Sequence, residues 1–162
     1  MEVEILEGDK KEFLEQERKA IYPDLGRRAF DAWIQGRPLY QPLYIGLVTE
    51  DELLIGGAVV EIQDFLKKDE ILLQLDALWI KETWRRRGLG SLLLQRTFEE
   101  AQSYYQRHLL KACGILIQTT SLDEGAETFY RKFFRRYNYK FKETKLKMGG
   151  GVEIICFLVS FQ

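Results

Sequence analysis

Ile80-Lys81-Glu82-Thr83-Trp84-Arg85-Arg86-Arg87-Gly88-Leu89-Gly90 is the stretch that decides the fold. Before it, Glu70–Ile80 alternates apolar and polar residues in the manner of a long strand. After it, Leu94, Phe98, Ala101 and Tyr105 recur at helical spacing, so Leu89–Arg107 reads as an amphipathic helix. The glycine-containing turn therefore leaves a strand and opens a helix. The first turn of a helix has backbone N–H groups without internal partners, and the helix dipole adds partial positive charge there. Gly88 and Gly90 carry no side chain to hold an anion off the backbone, and Arg85, Arg86 and Arg87 add fork-shaped cationic donors. A phosphate or pyrophosphate suits that junction. The competing interpretation is an ordinary turn with a solvated basic face.

Working outward, Cys113–Thr119 is a short apolar run that reads as a buried strand, which makes Glu70–Thr119 a strand–helix–strand unit with parallel strands. Upstream, Leu43–Val48 and Leu53–Gln63 read as strands joined by the polar turn Thr49–Asp51, and Phe65–Asp69 turns the chain into the third long strand. Val3–Leu6 is a short first strand. Lys10–Ile21 reads as a helix with Phe13, Leu14 and Ile21 as its apolar contacts, and Leu25–Gln35 as a second one closed by Gly36. Downstream, Asp123–Arg136 is a further amphipathic helix, and Tyr139–Met148 and Val152–Phe161 form a terminal hairpin around Gly149–Gly151.

The turn lacks the Gly-Lys-Ser/Thr ending of a P-loop. A dinucleotide-binding fold would place its glycine loop after the first strand of a parallel sheet, whereas here several antiparallel strands come first.

Leu75-Asp76-Ala77-Leu78-Trp79-Ile80 followed by Arg85-x-x-Gly88-x-Gly90 resembles the acetyl-CoA signature of the GNAT N-acetyltransferase superfamily, and Ala126-Glu127-Thr128-Phe129-Tyr130-Arg131-Lys132 is similar to that family's Ala-x-x-hydrophobic-Tyr-x-Lys stretch. The resemblance implies an α/β fold with a central, mostly antiparallel mixed sheet, splayed between the fourth and fifth strands and carrying helices on both faces. It implies acetyl-CoA as cosubstrate. Backbone near Leu78 and Ile80 would pair with its pantetheine arm, and Arg85, Arg86, Arg87, Gly88, Leu89 and Gly90 would hold the pyrophosphate. It further implies a backbone N–H near Leu78 facing the thioester carbonyl, Tyr130 as the proton donor to the departing thiolate, and Asp76, on the strand just before a bulge region, as a base or water-holder for the amine. A phenol, with an ordinary pKa of about 10, is a reasonable donor to a thiolate whose thiol has one of about 8.5. The structural alternative for Asp76 is a solvent-side carboxylate, with the flanking Leu75 and Ala77 pointing together to the opposite face. Gln74 and Trp79 either line the acceptor pocket or pack.

Two departures from the family pattern stand out. Asp123 occupies a position where the family often has Asn, and the helix has no Gly four residues after its tyrosine; the nearest equivalent is Tyr137-Asn138-Tyr139. Asn138 can take the left-handed conformation that Gly usually supplies. Counting from the helix start places Tyr130 in the proton-donor position, whereas counting back from Asn138 places Phe134 there. Phe134 has no proton to give and would favour a non-catalytic acyl-CoA-binding module over an N-acetyltransferase acting on a primary amine by direct attack in a ternary complex.

The bulk properties narrow the remaining choices. The 162 residues suggest one domain over 1–162. Lys plus Arg number 24 against 25 Asp plus Glu, so the overall charge gives no general pull toward nucleic acid, and nucleic acid is not an expected partner. The single histidine, His108, excludes a His-rich metal site. Cys113 and Cys156 sit in apolar runs and read as two buried thiols. Met1–Lys11 has no apolar signal segment and no apolar run spans a bilayer, so a cytoplasmic location without membrane association is expected. The acceptor, a small-molecule or peptide amine, would sit against the two N-terminal helices, Lys10–Gln35, and the hairpin loops. Trp33, Tyr40 and Tyr44 would form an apolar wall there or simply pack. The tail aromatics Tyr137, Tyr139, Phe141, Phe157 and Phe161 either cover the core or form a homodimer seam.

Overall fold

The structure is a computed structural model that describes residues 1–21, 41–123 and 125–161. The helix expected over Leu25–Gln35, with Trp33 and Tyr40, lies outside the described residues.

Seven strands form one mixed sheet. They are β1 (Glu2–Ile5), β2 (Leu43–Val48), β3 (Leu54–Phe65), β4 (Glu70–Ile80), β5 (Lys111–Thr120), β6 (Lys140–Lys147) and β7 (Glu153–Ser160), in the spatial order β1-β2-β3-β4-β5-β7-β6. All neighbours are antiparallel except β4 and β5, which run parallel, as a helical crossover between them requires. Among the described residues the α-helices are α1 (Gly8–Ile21), α2 (Leu89–Arg107) and α3 (Ala126–Arg136).

The sheet is covered on both faces. On one face, Leu93, Leu94, Phe98, Ala101 and Tyr105 of α2 join Phe133 and Phe134 of α3 over Ile45, Leu73, Ile115 and Phe157. Phe98 meets Phe133 edge-to-face at 5.7 Å, which ties the two helices together. On the other face, Leu14 of α1 packs with Tyr44, Val59, Ala77 and Trp79. Phe13, expected as a second apolar contact, is 48% exposed, so Leu14 is the buried anchor. The tail aromatics belong to the first core: Phe157 is fully buried, and Tyr137, Tyr139 and Phe141 pack against it. Cys113 and Cys156 are free and half-buried rather than buried. Ala112 and Cys113 together face the single step Ile71–Leu72 of β4, which turns the Cys113 side chain out of the core alternation.

The register of β4 departs from a plain strand at one residue. Val59 pairs with Ala77 and Val60 with Leu75, so Asp76 is the extra residue of a β-bulge. Leu75 and Ala77, expected on one face, are therefore on opposite faces: Leu75 enters the α2–α3 core and Ala77 the α1 core. The β4–β5 ladder also ends there, at Leu75↔Ile117, although both strands continue. Beyond that point the strands part.

Candidate active site

The gap between the separated strands is a cleft of about 500 Å³. One wall is the end of β4 (Leu78, Trp79, Ile80) with the turn and first residues of α2 (Trp84, Arg85, Arg86, Gly88–Ser91). The facing wall is Asp123 and the start of α3 (Gly125, Ala126, Phe129, Tyr130). Leu78, Ile80, Arg85, Arg86, Gly88, Leu89, Gly90 and Tyr130 are thus brought together from segments up to 52 positions apart. Arg87 and Asp76 do not line it.

The three arginines have different positions. Arg85 donates from Nε to the carbonyl of Ile80 at 2.9 Å and so clamps the turn to the strand it leaves. Arg87 lies over the Trp84 ring at 5.0 Å, a cation–π contact with a residue of the cleft wall that Arg87 does not itself line. Arg86 lines the cleft and has φ of 66°, a left-handed conformation that a side-chain-bearing residue adopts only where its surroundings enforce it.

Gly88 is the N-cap of α2 with φ of 74° and ψ of 8°, and no side chain caps the helix. Its carbonyl accepts from Leu92 N–H at 3.3 Å, which starts the helical ladder one residue before Leu89. The amides of Leu89, Gly90 and Ser91 therefore head an uncapped helix that opens into the cleft. A Cβ on Gly90 would approach the Phe129 ring at 3.5 Å, so α3 crosses close over this turn. The same device recurs opposite: Gly125, φ 89°, is the N-cap of α3 and also has no side-chain cap. That left-handed residue starts the helix at Ala126, three positions later than the amphipathic pattern from Asp123 suggests. An acyl thioester carrier with a pyrophosphate matches this donor set: two uncapped helix starts, the Arg86 guanidinium and a long cleft with apolar walls.

Tyr130 is 9% exposed and lines the cleft, with its ring near-parallel to that of Phe134 at 6.1 Å. Phe134 is fully buried against Phe141 and Phe157 and does not line the cleft. Beyond α3, Asn138 is left-handed at φ 57°, with Asn138 N–H on the Arg135 carbonyl and Tyr139 N–H on that of Phe134, a Schellman closure. The helix therefore runs from Ala126 to a closure on Asn138, with Tyr130 on the cleft and Phe134 in the core. Phe129, Ser91, Trp84 and Gly125 are cleft residues that the pattern alone did not single out. Gly125 was detectable as a helix-start glycine; the others depend on the α2–α3 crossing.

Asp76 is half-buried on the bulge, and its charge reaches the Tyr105 hydroxyl along with that of Glu61. Burial is the main cause holding the Tyr105 phenol far above its ordinary pKa, with the charges of Tyr104, Glu61 and Asp76 adding to it. Among the described residues no group of three His, Cys, Asp or Glu could hold a metal ion, and no helix is long and apolar enough to cross a membrane.

Comparison with known proteins bears on the fold and the family. No curated protein matches the chain in sequence. Solved structures match in fold at low identity. An Arabidopsis thaliana NAA60 in complex with acetyl-CoA superposes with a TM-score of 0.62 at 15% identity, covering 98% of each chain. The aminoglycoside 6'-N-acetyltransferase from Enterococcus faecium gives 0.64 at 16%, covering 99% of this chain and 97% of its own. A ribosomal-protein-alanine N-acetyltransferase from Brucella melitensis gives 0.61 at 14%, covering 99% and 100%. The model of the acetyltransferase (GNAT) family matches residues 5–134, the bulged strand, the arginine–glycine turn and the Tyr130 helix included, and the chain belongs to that family.

Proposed function

We propose that this protein, as one domain over residues 1–162 in the cytoplasm, transfers an acetyl group from acetyl-CoA to a primary amine of a small molecule or peptide, by direct attack in a ternary complex. The observation that carries this reading is the convergence in one cleft of the uncapped α2 start, the end of the bulged strand β4 and the Tyr130 side chain. Similar folds have been solved with acetyl-CoA or coenzyme A bound, which supports the choice of cosubstrate.

When bound, acetyl-CoA supplies an electrophilic thioester carbonyl and a thiol leaving group. The chain's own residues do the rest. Amides of Leu89, Gly90 and Ser91, with the Arg86 guanidinium, hold the pyrophosphate; Arg85 fixes their turn to β4 through Ile80. Leu78 and Ile80, past the end of the β4–β5 ladder, orient the pantetheine arm. An N–H of this strand end, near Leu78, stabilises negative charge developing on the carbonyl oxygen. The Tyr130 hydroxyl gives its proton to the departing sulfur, and Asp76, which lies outside the cleft lining, takes the proton lost by the amine through water. Because no acyl-enzyme is needed, neither half-buried cysteine has a covalent role.

Thermal unfolding with and without acetyl-CoA tests the reading. At a hundred times the dissociation constant, binding adds about 2.7 kcal/mol. For a chain of this size that raises the melting temperature by about 5–10 °C. Thiol release across a panel of amines then identifies the acceptor. No shift with acetyl-CoA, coenzyme A or a longer acyl-CoA would refute the assignment.

A further inference from the structure

The near-neutral overall charge conceals a sharp segregation. Residues 131–147 hold eight of the chain's 24 cations and only one carboxylate, Glu143, while the other 145 residues hold 16 cations against 24 carboxylates. This segment is the outer side of α3 and the edge strand β6, at the far end of the sheet from β1. Two of its cations are engaged by carboxylates, since Arg131 pairs with Glu127 and, at 2.6 Å, with Glu143, and Lys145 lies 3.5 Å from Glu127; of the rest, Arg136 lies over the Tyr137 ring at 5.6 Å. The other six, Lys132, Arg135, Arg136, Lys140, Lys142 and Lys147, are exposed, and among the described residues none has a carboxylate at ion-pair distance.

Lysines on an edge strand are a common guard against strand-to-strand aggregation. That explains β6 but not the stripe Lys132–Arg135–Arg136, which lies on a helix at i, i+3, i+4 spacing. The positive surface therefore spans two elements. It is also rigid, since β6 pairs with β7 from Lys140 to Lys147 and α3 is anchored by Phe133 and Phe134. Along β6 the lysines extend over about 23 Å. Phe141 and Glu143 face α3, so Lys145 and Lys147 share that side, and Lys140 and Lys142 are on the opposite one. The cations thus wrap around the sheet edge as a convex ridge.

A planar anionic membrane would touch one flank of such a ridge only. Unpaired bases need exposed aromatic platforms to stack on, and Phe133, Phe134, Tyr139 and Phe141 are turned into the core. The major groove of B-form DNA, ~12 Å wide and ~8.5 Å deep, admits a single helix or a two-stranded ribbon, and a helix packed beside a strand edge is too broad to seat in so deep a groove. A-form RNA offers a wide, shallow groove bordered by phosphates, which is recognised by shape and backbone charge. We propose that the α3–β6 ridge docks duplex RNA through its phosphates, independently of base sequence.

The test is fluorescence anisotropy of the full chain with a labelled RNA duplex of about 20 base pairs and arbitrary sequence. Each neutralised phosphate contributes about 0.9 to the salt slope, so four to five contacts predict a slope of about −4 and a few-hundred-fold loss of affinity between 50 and 200 mM salt. Charge reversal at Arg135, Lys140 and Lys142 to Glu should abolish binding while leaving the acetyl-CoA-induced melting shift intact; the milder triple change to Gln should reduce the slope by about 3. The proposal is overturned by no binding, by equal or tighter binding of duplex DNA or single-stranded RNA, by binding only to phosphatidylserine vesicles or a poly-aspartate peptide, or by retention of RNA binding in both triple variants.

Discussion

Replacing Gly88 by Ala isolates the geometry of the anion site from its space. A Cβ there would meet nothing within 4 Å, so no neighbour has to move, and the whole cost is that of holding an alanine at φ 74°. That conformation costs an L-residue about 1–2 kcal/mol. For a chain of this length the melting temperature should fall by roughly 2–8 °C. Relaxing the strain means swinging Gly88 toward negative φ, which redirects the Leu89 and Gly90 amides. Losing one charge-assisted bond of about 1.5–3 kcal/mol weakens anion binding roughly ten- to a hundredfold. Gly88→Asn is the control, because Asn tolerates the left-handed region better. It should recover most of both losses. The assays are melting without ligand and isothermal titration with acetyl-CoA. An unchanged melting temperature in Gly88→Ala would refute the left-handed turn, and a lowered one with wild-type affinity would detach that turn from cosubstrate binding.

Tyr130→Phe should lower kcat by about a hundredfold with little change in the KM for acetyl-CoA, read by steady-state thiol release. Asp76→Asn keeps the bulge and removes the charge, so it should depress kcat while the urea midpoint stays near wild type; an equal loss of stability would make Asp76 structural. Gly114→Ala places a Cβ 2.4 Å from the Val159 carbonyl oxygen, between β5 and β7. It should cost about 3 kcal/mol in urea unfolding. Tyr105→Phe should be neutral or stabilising by about 1 kcal/mol at pH 7, since the buried hydroxyl has no hydrogen-bond partner among the described residues. The native phenol's raised pKa means that the folded state retains a proton the unfolded chain loses above about pH 10. Wild-type stability contributed by this group is full below that pH and falls as pH rises toward the folded value, and the Phe variant should lack this alkaline fall.

The sequence made most of this legible because its signals are local. Glu70–Ile80 and Leu89–Arg107 run between the bounds that periodicity assigns, and the turn between them announces the site through its glycines and arginines. What stayed hidden depends on tertiary contact. Arg85, Arg86 and Arg87 look equivalent in the chain, yet Arg85 clamps a carbonyl at the cleft's edge, Arg86 lines the cleft from a left-handed position and Arg87 covers a tryptophan outside the lining. Tyr130 and Phe134 are one helical turn apart and both apolar-facing; only the position of Phe141 and Phe157 separates core from cleft. The bulge left no trace in the pattern, because every second residue from Ile71 to Trp79 is buried straight through it. With α2 and α3 on one face and α1 on the other, a buried residue can change sides without changing its burial.

That concealed residue links the fold to the chemistry. A bulge bends its strand and increases its twist. At Asp76 it coincides with the last β4–β5 pair, Leu75↔Ile117, so the strand turns away from its parallel neighbour where the ladder stops. The single insertion has two further effects. It moves Ala77 and Trp79 to the α1 face, where Leu14 packs on them. It also returns Leu78 and Ile80 to the α2–α3 face, on the wall of the cleft that holds the uncapped helix start. An unbulged β4 would send Leu78 and Ile80 to the α1 side and bring Trp79 against α2, in place of the smaller packing contacts there. One extra residue in an eleven-residue strand therefore opens the cleft, chooses which side chains line it and anchors the opposite face. The shape of the cleft and the packing of α1 are for this reason a single structural feature, and a sequence change that removes the bulge must lose both together.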